Sequence, residues 1–177
     1  ALAWQPPPKG NRAAFVSSSG AACSLVSDLS EDVGLNVADL SKDTLEKIRK
    51  ILPDIAVPKN PLDVVYIYGN PNARTLVGDV IEMMADDKSV DIVIPGLTVG
   101  GSIAKEIVDY CMRTLKRIRE THKKPVLFWW AIDRDLYQAQ EKTFAQNMVP
   151  LYQTPERAVM AASAMWKYAK FLESRSK

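Results

Sequence analysis

Short apolar segments alternate with longer amphipathic segments along this chain, and this alternation constrains the possible fold more than any other feature of the sequence. The apolar segments are too short for helices. They are continuous rather than alternating, which is typical of parallel strands that are covered on both faces. We therefore predict strands at residues 12–17, 35–38, 90–95, 125–131 and 149–152.

The amphipathic segments carry apolar residues at helical spacing on one face. Ser41 and Asp133 can cap the starts of two of these segments, Pro155 suits a first helical position, and Gly34 can end another. We predict helices at residues 21–32, 42–52, 73–85, 102–121, 134–146 and 155–172.

The elements follow the order strand then helix, repeated five times, with one extra helix after the second strand. Such alternation predicts a parallel sheet between two layers of helices, because each crossover returns a helix to one face of the sheet. We expect an α/β, flavodoxin-like three-layer sandwich with a five-stranded parallel sheet in the order 2-1-3-4-5. In that order a ligand crevice opens at the carboxyl ends of strands one and three.

Two glycine-containing loops are predicted to meet at this crevice. The first loop opens a helix, whose free N–H groups and dipole favour a phosphate or a carboxylate. The candidate phosphate-binding residues are Ser17, Ser18, Ser19, Gly20, Ala21 and Ala22. The alternative is a polar turn capped by Ser19, since the loop matches neither a P-loop, nor a dinucleotide-binding glycine motif, nor a nucleophile elbow.

The second loop, residues 96–102, repeats this pattern after strand three, with a flexible turn capped by Ser102 as the alternative. Elsewhere, the turn signature at residues 60–63 can shape the edge of the crevice. The candidate crevice-lining residues are Asn60, Asp63, Thr98, Gly100 and Gly101.

Composition excludes several classes of function. A net charge of +2, from 23 basic and 21 acidic residues, gives no reason to expect nucleic acid or a membrane as a partner. With His122 as the single histidine, no metal site is predicted. We expect Cys23 and Cys111 to be buried free thiols in a reducing cytoplasm. The proline-rich residues 1–11 predict an interdomain linker, followed by a domain at 12–177.

Three further features have ordinary structural interpretations. We expect His122 to be solvated at a basic helix end, and the Asp86-Asp87 pair to form a helix-end turn. Trp129 and Trp130 should point to opposite faces of a strand. One ring would pack against a helix and the other would face the crevice or a partner.

Several motifs together resemble a known family. They are GLNVADLS at residues 34–41, Thr44-Leu45, ILP at 51–53, NPLD at 60–63 and VPLYQTPERAV at 149–159. In order and spacing they resemble the second flavodoxin-like domain of the NDP-forming acyl-CoA synthetases, relatives of succinyl-CoA synthetase. The resemblance extends over most of the chain, from about Gly10 onward.

This resemblance implies a parent enzyme that joins an acid to coenzyme A, using ATP or another nucleoside triphosphate with Mg, through an acyl phosphate and a phosphohistidine. It implies CoA-binding, first flavodoxin-like and ATP-grasp domains as partners in the same enzyme, and we expect that enzyme to be a homo-oligomer. The helix at Ala21 would aim its N-terminus at the phosphohistidine. No cofactor is expected in this chain itself.

Two departures from the family pattern set the limits of this prediction. The family favours an Asn-x-Gly-Gly-x-Gly loop where residues 17–22 read SSSGAA, and the Ser-His-Thr-Gly pattern that carries the histidine is absent. We therefore predict that the isolated chain catalyses nothing. The alternatives are a small phosphate-ligand or flavin-binding module and a purely structural docking domain. A receiver domain would need an acidic cluster that this chain lacks.

Overall fold

A parallel sheet lies at the centre of the fold in the computed structural model, which describes residues 1–67, 70, 72–98 and 100–175. The strands are β1 (Arg12–Ser17), β2 (Asn36–Val37), β3 (Leu62–Asp63), β4 (Ile92–Leu97), β5 (Phe128–Trp130) and β6 (Leu151–Tyr152). The helices are α1 (Gly20–Val33), α2 (Lys42–Ile51), α3 (Ala73–Asp86), α4 (Gly101–Arg117), α5 (Arg134–Gln146) and α6 (Pro155–Arg175).

The main path of the sheet is β2-β1-β4-β5-β6, with all pairs parallel. This path confirms the predicted order of the five strands. The predicted strand count is wrong, because β3 adds a sixth strand on the same edge of β1 as β2, pairing Val16 with Leu62 and Ser17 with Asp63. Its two residues are too few to produce a periodic signal in the sequence.

The side chain of Asn60 fills the gap between β2 and β3 along the edge of β1. Its Oδ1 accepts a hydrogen bond of 2.8 Å from the Phe15 N–H, and its Nδ2 donates to the carbonyls of Ala13 at 2.8 Å and Ala38 at 3.0 Å. In a regular parallel ladder the Phe15 N–H would bond to the Ala38 carbonyl. The amide of Asn60 is therefore inserted into the ladder at the point where β2 leaves the sheet.

A side-chain amide inserted between two strands also attaches the N-terminal segment, at the other side of the sheet. Gln5 is 6% exposed; its Oε1 accepts from the Val126 N–H at 2.9 Å and its Nε2 donates to the Met148 carbonyl at 2.6 Å. These groups lie where the next bond of the β5–β6 ladder would form. Residues 1–11 thus pack against the domain, and their assignment as a linker stays a prediction.

Two apolar cores lie on the two faces of the sheet. Along β1, Ala13 and Phe15 face the core formed with α1 and α6, while Ala14 and Val16 face the larger core formed with α2, α3, α4 and α5. The helix layers predicted from the alternation are confirmed. None of the helices in the described ranges is both long and apolar enough to cross a membrane.

The two adjacent tryptophans point to opposite faces of β5, as predicted. The expectation that one ring faces the crevice or a partner is wrong, because Trp129 is 1% and Trp130 3% exposed. Trp130 packs near Phe144, with ring centroids 6.5 Å apart. The indole of Trp129 lies directly against Gly96, and a side chain at Gly96 would overlap its atoms.

The helix termini follow the predicted local chemistry. The N-caps Ser19, Ser41 and Asp133 each accept a hydrogen bond from a backbone N–H in the first turn of the helix. Gly34 ends α1 in the left-handed region at φ 82°, which favours glycine. These caps confirm that short-range sequence chemistry defines where the helices begin and end.

The predicted helix at 102–121 is helical throughout, but its last turn is not α-helical. There α4 gives way to one turn of π-helix, Ile118–His122, which ends at Lys123 with φ 54°. His122 is half-buried, and its Nε2 lies 3.0 Å from Asp86 Oδ1. A contact with the neighbouring helix, rather than solvent alone, therefore holds this end of the segment.

Asp87 joins the end of α3 to the start of α2. Burial by itself would raise the pKa of this carboxyl. Hydrogen bonds from Ser89, Thr44 and Ser41 outweigh burial and hold the pKa of Asp87 well below its ordinary value. The Ser41 and Ser89 N–H groups each donate to its carboxylate at 2.8 Å. The predicted helix-end turn is confirmed, and its second carboxylate is a buried, ionised anchor.

Candidate functional site

The candidate site lies where β1 and β4 end side by side. Ser17 and Gly96 are paired in the parallel register. From this point one loop leads to α1 on one face of the sheet, and the other loop leads to α4 on the opposite face. Such a divergence opens a crevice at the carboxyl ends of the strands, which is where open α/β sheets bind ligands.

A pair of hydroxyl side chains connects the two loops. The Thr98 N–H donates to Ser18 Oγ at 2.9 Å, the two hydroxyl oxygens lie 3.1 Å apart, and Thr98 Oγ1 lies 3.4 Å from the Ser18 carbonyl oxygen. Ser18 is 3% exposed, so its hydroxyl is committed to this contact. Sequence reasoning grouped Ser18 with the phosphate-binding residues, whereas its side chain fixes the distance between the loops.

The other two serines hold the backbone of the first loop. Ser17 Oγ accepts from the Ser19 N–H at 3.0 Å, and Ser19 Oγ accepts from the Ala22 N–H at 3.4 Å. The Ser19 carbonyl accepts from the Cys23 N–H at 3.1 Å. The alternative interpretation, in which Ser19 caps the turn, is thus confirmed. All three serine hydroxyls of the loop make hydrogen bonds within the protein.

Two backbone amides remain at the start of α1. Within the described residues, the N–H groups of Gly20 and Ala21 donate no hydrogen bond to the protein, and both residues are exposed. The first turn of α1 contains no acidic residue. The site can therefore offer an anion two backbone donors and the positive end of a helix dipole, but no cationic side chain from the loop.

A carboxylate lies beside these amides. Asp63 Oδ2 would be 2.9 Å from a Cβ atom placed on Gly20, and Asp63 Oδ1 accepts from the Val65 N–H at 2.9 Å. The strand β3 brings Asp63 to this position, next to Ser17 at the end of β1. The close approach explains why the single glycine of the loop stands at position 20. The sequence contained no signal for this contact beyond a turn motif.

The second loop leads into the start of another helix. Gly100 is the N-cap of α4, with no side-chain hydrogen bond to the first turn, and Gly101 is the first helical residue. By its backbone, Ser102 is the second helical residue and not the N-cap that the alternative interpretation required. Thr98 and Gly100 are exposed at the rim, and a side chain at Gly100 would meet open space. Between them Val99 lies outside the described residues.

Of the remaining candidates, Asn60 does not present its amide to the crevice, since that amide is bonded within the β1 ladder.

The two cysteine thiols, Cys23 and Cys111, are buried and free, as predicted. Burial and the charge of Asp63 raise the pKa of Cys23 to about 12, and burial raises that of Cys111 to about 12. Both thiols therefore stay protonated at neutral pH and are poor nucleophiles.

Comparison with known proteins identifies relatives over almost the whole chain, although no protein-family model matches it. The chain is 30% identical to the acetate–CoA ligase [ADP-forming] II subunit alpha of Pyrococcus furiosus over 168 residues, covering 94% of this chain and 35% of that protein. It is also 30% identical to the acetate–CoA ligase [ADP-forming] II of Archaeoglobus fulgidus over 171 residues, covering 96% of this chain and 24% of that protein.

Solved structures have the same fold. A protein of Pyrococcus horikoshii OT3 superposes with a TM-score of 0.81 at 28% identity, over 94% of this chain and 37% of that one. A dinucleotide-forming acetyl-coenzyme A synthetase 1 of Ca. Korarchaeum cryptofilum, in complex with phosphate and ADP, superposes with a TM-score of 0.76 at 24% identity, over 96% and 35%. The chain spans roughly a quarter to somewhat over a third of the length of these relatives. Its sequence motifs, its flavodoxin-like sheet and these relatives together show that the chain matches one domain of the NDP-forming acyl-CoA synthetases over almost its whole length.

Proposed function

We propose that this chain is the domain of an NDP-forming acyl-CoA ligase that presents the N-terminus of α1 to a phosphohistidine supplied by another domain. The observation that carries the proposal is the pair of unbonded, exposed N–H groups of Gly20 and Ala21 at the switch point of the sheet. Backbone donors at a helix start stabilise a phosphoryl group by hydrogen bonds and by the helix dipole. The role is electrostatic, and no side chain of this chain forms a bond to the phosphoryl group.

The contacts between the loops support this role. A phosphoryl cradle must keep its donors in place before the ligand arrives, because rigid donors need no reorganisation when charge appears. The Ser18–Thr98 contacts and the Ser17–Ser19 bond fix the backbone that leads to Gly20. The serines at these positions thus fix the conformation of the loop by side-chain hydrogen bonds.

Asp63 favours a phosphohistidine over a free phosphate ligand. Two like charges about 4 Å apart repel by about 1 kcal/mol in water and about 4 kcal/mol near a protein surface. A free phosphate next to Gly20 would meet this repulsion. A phosphorylated imidazole carries a second ring nitrogen, whose N–H can donate to a carboxylate. The free Oδ2 of Asp63 is suited to accept such a bond.

A small phosphate-ligand or flavin-binding module is the second candidate, because the same exposed amides lie at the position where such folds bind their ligands. Titration with flavin mononucleotide and with inorganic phosphate separates the two. Saturable binding by the native chain favours the second candidate. We expect no saturation with the native chain and measurable phosphate binding only with Asp63→Asn, because that change removes the repulsion. A purely structural docking domain would bind neither flavin mononucleotide nor phosphate, with or without Asp63→Asn.

The same proposal extends to the rest of the enzyme. We propose that the parent uses ATP or another nucleoside triphosphate, Mg and coenzyme A, bound on CoA-binding, first flavodoxin-like and ATP-grasp domains outside residues 1–177. We further propose a cytoplasmic homo-oligomer, and an isolated chain that is inactive. The relatives support the nucleotide and coenzyme A by their names, which specify an ADP-forming acetate–CoA ligase.

The decisive experiment measures acid-labile phosphate on histidine in the intact enzyme after incubation with nucleoside triphosphate. Gly20→Val places a branched side chain against Asp63 and over the amides, so phosphohistidine formation and turnover should fall at least tenfold. Ser24→Val, one turn further along the exposed face of α1, is the matched control and should leave both unchanged. Normal phosphorylation of the Gly20→Val enzyme would refute the phosphoryl role.

A further inference from the structure

The solvent-facing side of α6 carries an apolar stripe that the fold does not cover. We define the α6 stripe as Met160, Ala164, Tyr168 and Phe171, which lie three or four residues apart and so share one face of the helix. Met160 is 63%, Tyr168 46% and Phe171 49% exposed, and the rings of Tyr168 and Phe171 are stacked with centroids 6.4 Å apart.

The opposite side of α6 already packs against the sheet through small and apolar residues, among them Ala158, Ala162, Met165 and Ala169. A helix on the surface of a domain needs only one apolar face. With a second apolar face, α6 has the pattern of a helix that is covered on both sides. Methionine and aromatic side chains are also the residues that protein interfaces favour over the rest of the surface.

Basic side chains surround the α6 stripe. Between residues 157 and 175 the helix carries Arg157, Lys167, Lys170 and Arg175 against a single acidic residue, Glu173. Among the residues that the structure describes, none of the four basic side chains forms an ion pair. Arg175 lies over the Phe171 ring at 4.7 Å, and Lys170 lies over the Trp166 ring at 5.7 Å. The uncovered face is therefore both apolar and positively charged.

We propose that the α6 stripe is a docking surface for an acidic, apolar surface of another part of the synthetase. This inference rests on the proposed function, because it assumes that the chain works inside a larger enzyme. Complementary charge selects the partner, since carboxylates could neutralise the four free cations while apolar side chains cover Met160 and the two stacked rings. Pairing with a second copy of α6 would bring the same cations of both chains together, which opposes association.

The test is hydroxyl-radical footprinting of the intact enzyme at its native length. Side-chain modification rates of Met160, Tyr168 and Phe171 are compared with those of Ile55 and Leu136, which are 75% and 42% exposed. We expect at least fivefold protection of the three stripe side chains relative to these two. The double variant Lys167→Glu/Lys170→Glu, and high salt, should each remove most of this protection, because both weaken the attraction between charges.

A matched double variant on α2, Lys42→Glu/Lys50→Glu, changes the net charge equally and should leave the protection intact. The proposal is overturned if the stripe is fully modified, or if its protection persists in the Lys167→Glu/Lys170→Glu variant. It is also overturned if protection increases with enzyme concentration or requires anionic phospholipid vesicles. Phosphohistidine formation is measured in the same samples. If the Gly20→Val enzyme loses phosphorylation and its α6 stripe is unprotected, only the docking surface is refuted. If the Gly20→Val enzyme is phosphorylated normally and its α6 stripe is protected, only the phosphoryl role is refuted.

Discussion

Asn60 should be one of the most sensitive polar residues of this fold, and Asn60→Asp tests why. The substitution conserves shape and retains an acceptor for the Phe15 N–H, which Asn60 Oδ1 binds at 2.8 Å. It removes the two hydrogen bonds that Nδ2 donates to the carbonyls of Ala13 at 2.8 Å and Ala38 at 3.0 Å. In their place a carboxylate oxygen faces two carbonyl oxygens.

The expected loss follows from the burial of these partners. Ala13 is 0% and Ala38 3% exposed, so water cannot replace the missing donor at either carbonyl. Leaving a buried polar group without its partner costs about 1–3 kcal/mol. The Ala13 carbonyl retains its bond from the Ala38 N–H, so the net loss of stability should be about 3 kcal/mol rather than the sum of two full penalties. Protonation of the new carboxyl restores one donor, so the loss should shrink at low pH.

Urea unfolding followed by far-ultraviolet circular dichroism measures this loss. With a slope of about 2 kcal/mol per M, a loss of about 3 kcal/mol lowers the midpoint by about 1.5 M. The control is Asn36→Asp, the same chemical change on an exposed side chain of β2, which should alter stability by less than about 0.5 kcal/mol. The reasoning is refuted if both variants unfold at the same urea concentration, or if the loss in Asn60→Asp does not decrease at about pH 3.

Three other changes test further parts of the structure. Gly96→Ala should cost about 1–3 kcal/mol, because the new methyl group overlaps the buried Trp129 ring, whereas Gly100→Ala, whose methyl group meets open space, should cost only about 0.5 kcal/mol for the poorer N-cap; equal thermal midpoints would contradict this. Gln5→Leu should cost about 2 kcal/mol in urea unfolding, and a wild-type midpoint would show that the N-terminal segment does not stabilise the domain. The depressed pKa of Asp87 stabilises the fold fully above about pH 4, and this contribution is lost as the pH falls through the folded-state value. The difference in unfolding free energy between wild type and Asp87→Asn should therefore stay constant from about pH 6 to about pH 4 and narrow below that, and a difference that stays constant down to about pH 2.5 would contradict the assignment.

The elements that local chemistry defines could be predicted from the sequence. Continuous apolar runs predicted the five strands of the main path of the sheet, and helical periodicity predicted α1 to α6 to within a few residues. The caps at Ser19, Ser41 and Asp133 follow from side chains that bond to backbone groups only three residues away. Such contacts are contained in a short window of sequence, and tertiary context does not have to decide them.

The contacts that define the candidate site could not be predicted in this way. Ser18 and Thr98 are 80 residues apart in sequence, and Asn60 is 45 residues from Phe15. Nothing near Ser18 in the sequence distinguishes a hydroxyl that binds a ligand from one that binds a neighbouring loop. In the same way, Asp63 reaches Gly20 only because β3 pairs with the end of β1.

The sequence by itself determined the alternating α/β architecture, the strand order of the main sheet and the loop at the switch point, because hydrophobic periodicity and handed crossovers leave few other arrangements. The tertiary structure alone decided which groups of that loop remain available. In the folded chain the three serine hydroxyls form internal hydrogen bonds and the Gly20 and Ala21 amides stay exposed. The carboxylate of Asp63 lies beside these amides. The physical reason is that burial and hydrogen-bond partners depend on distant segments that meet only when the sheet forms.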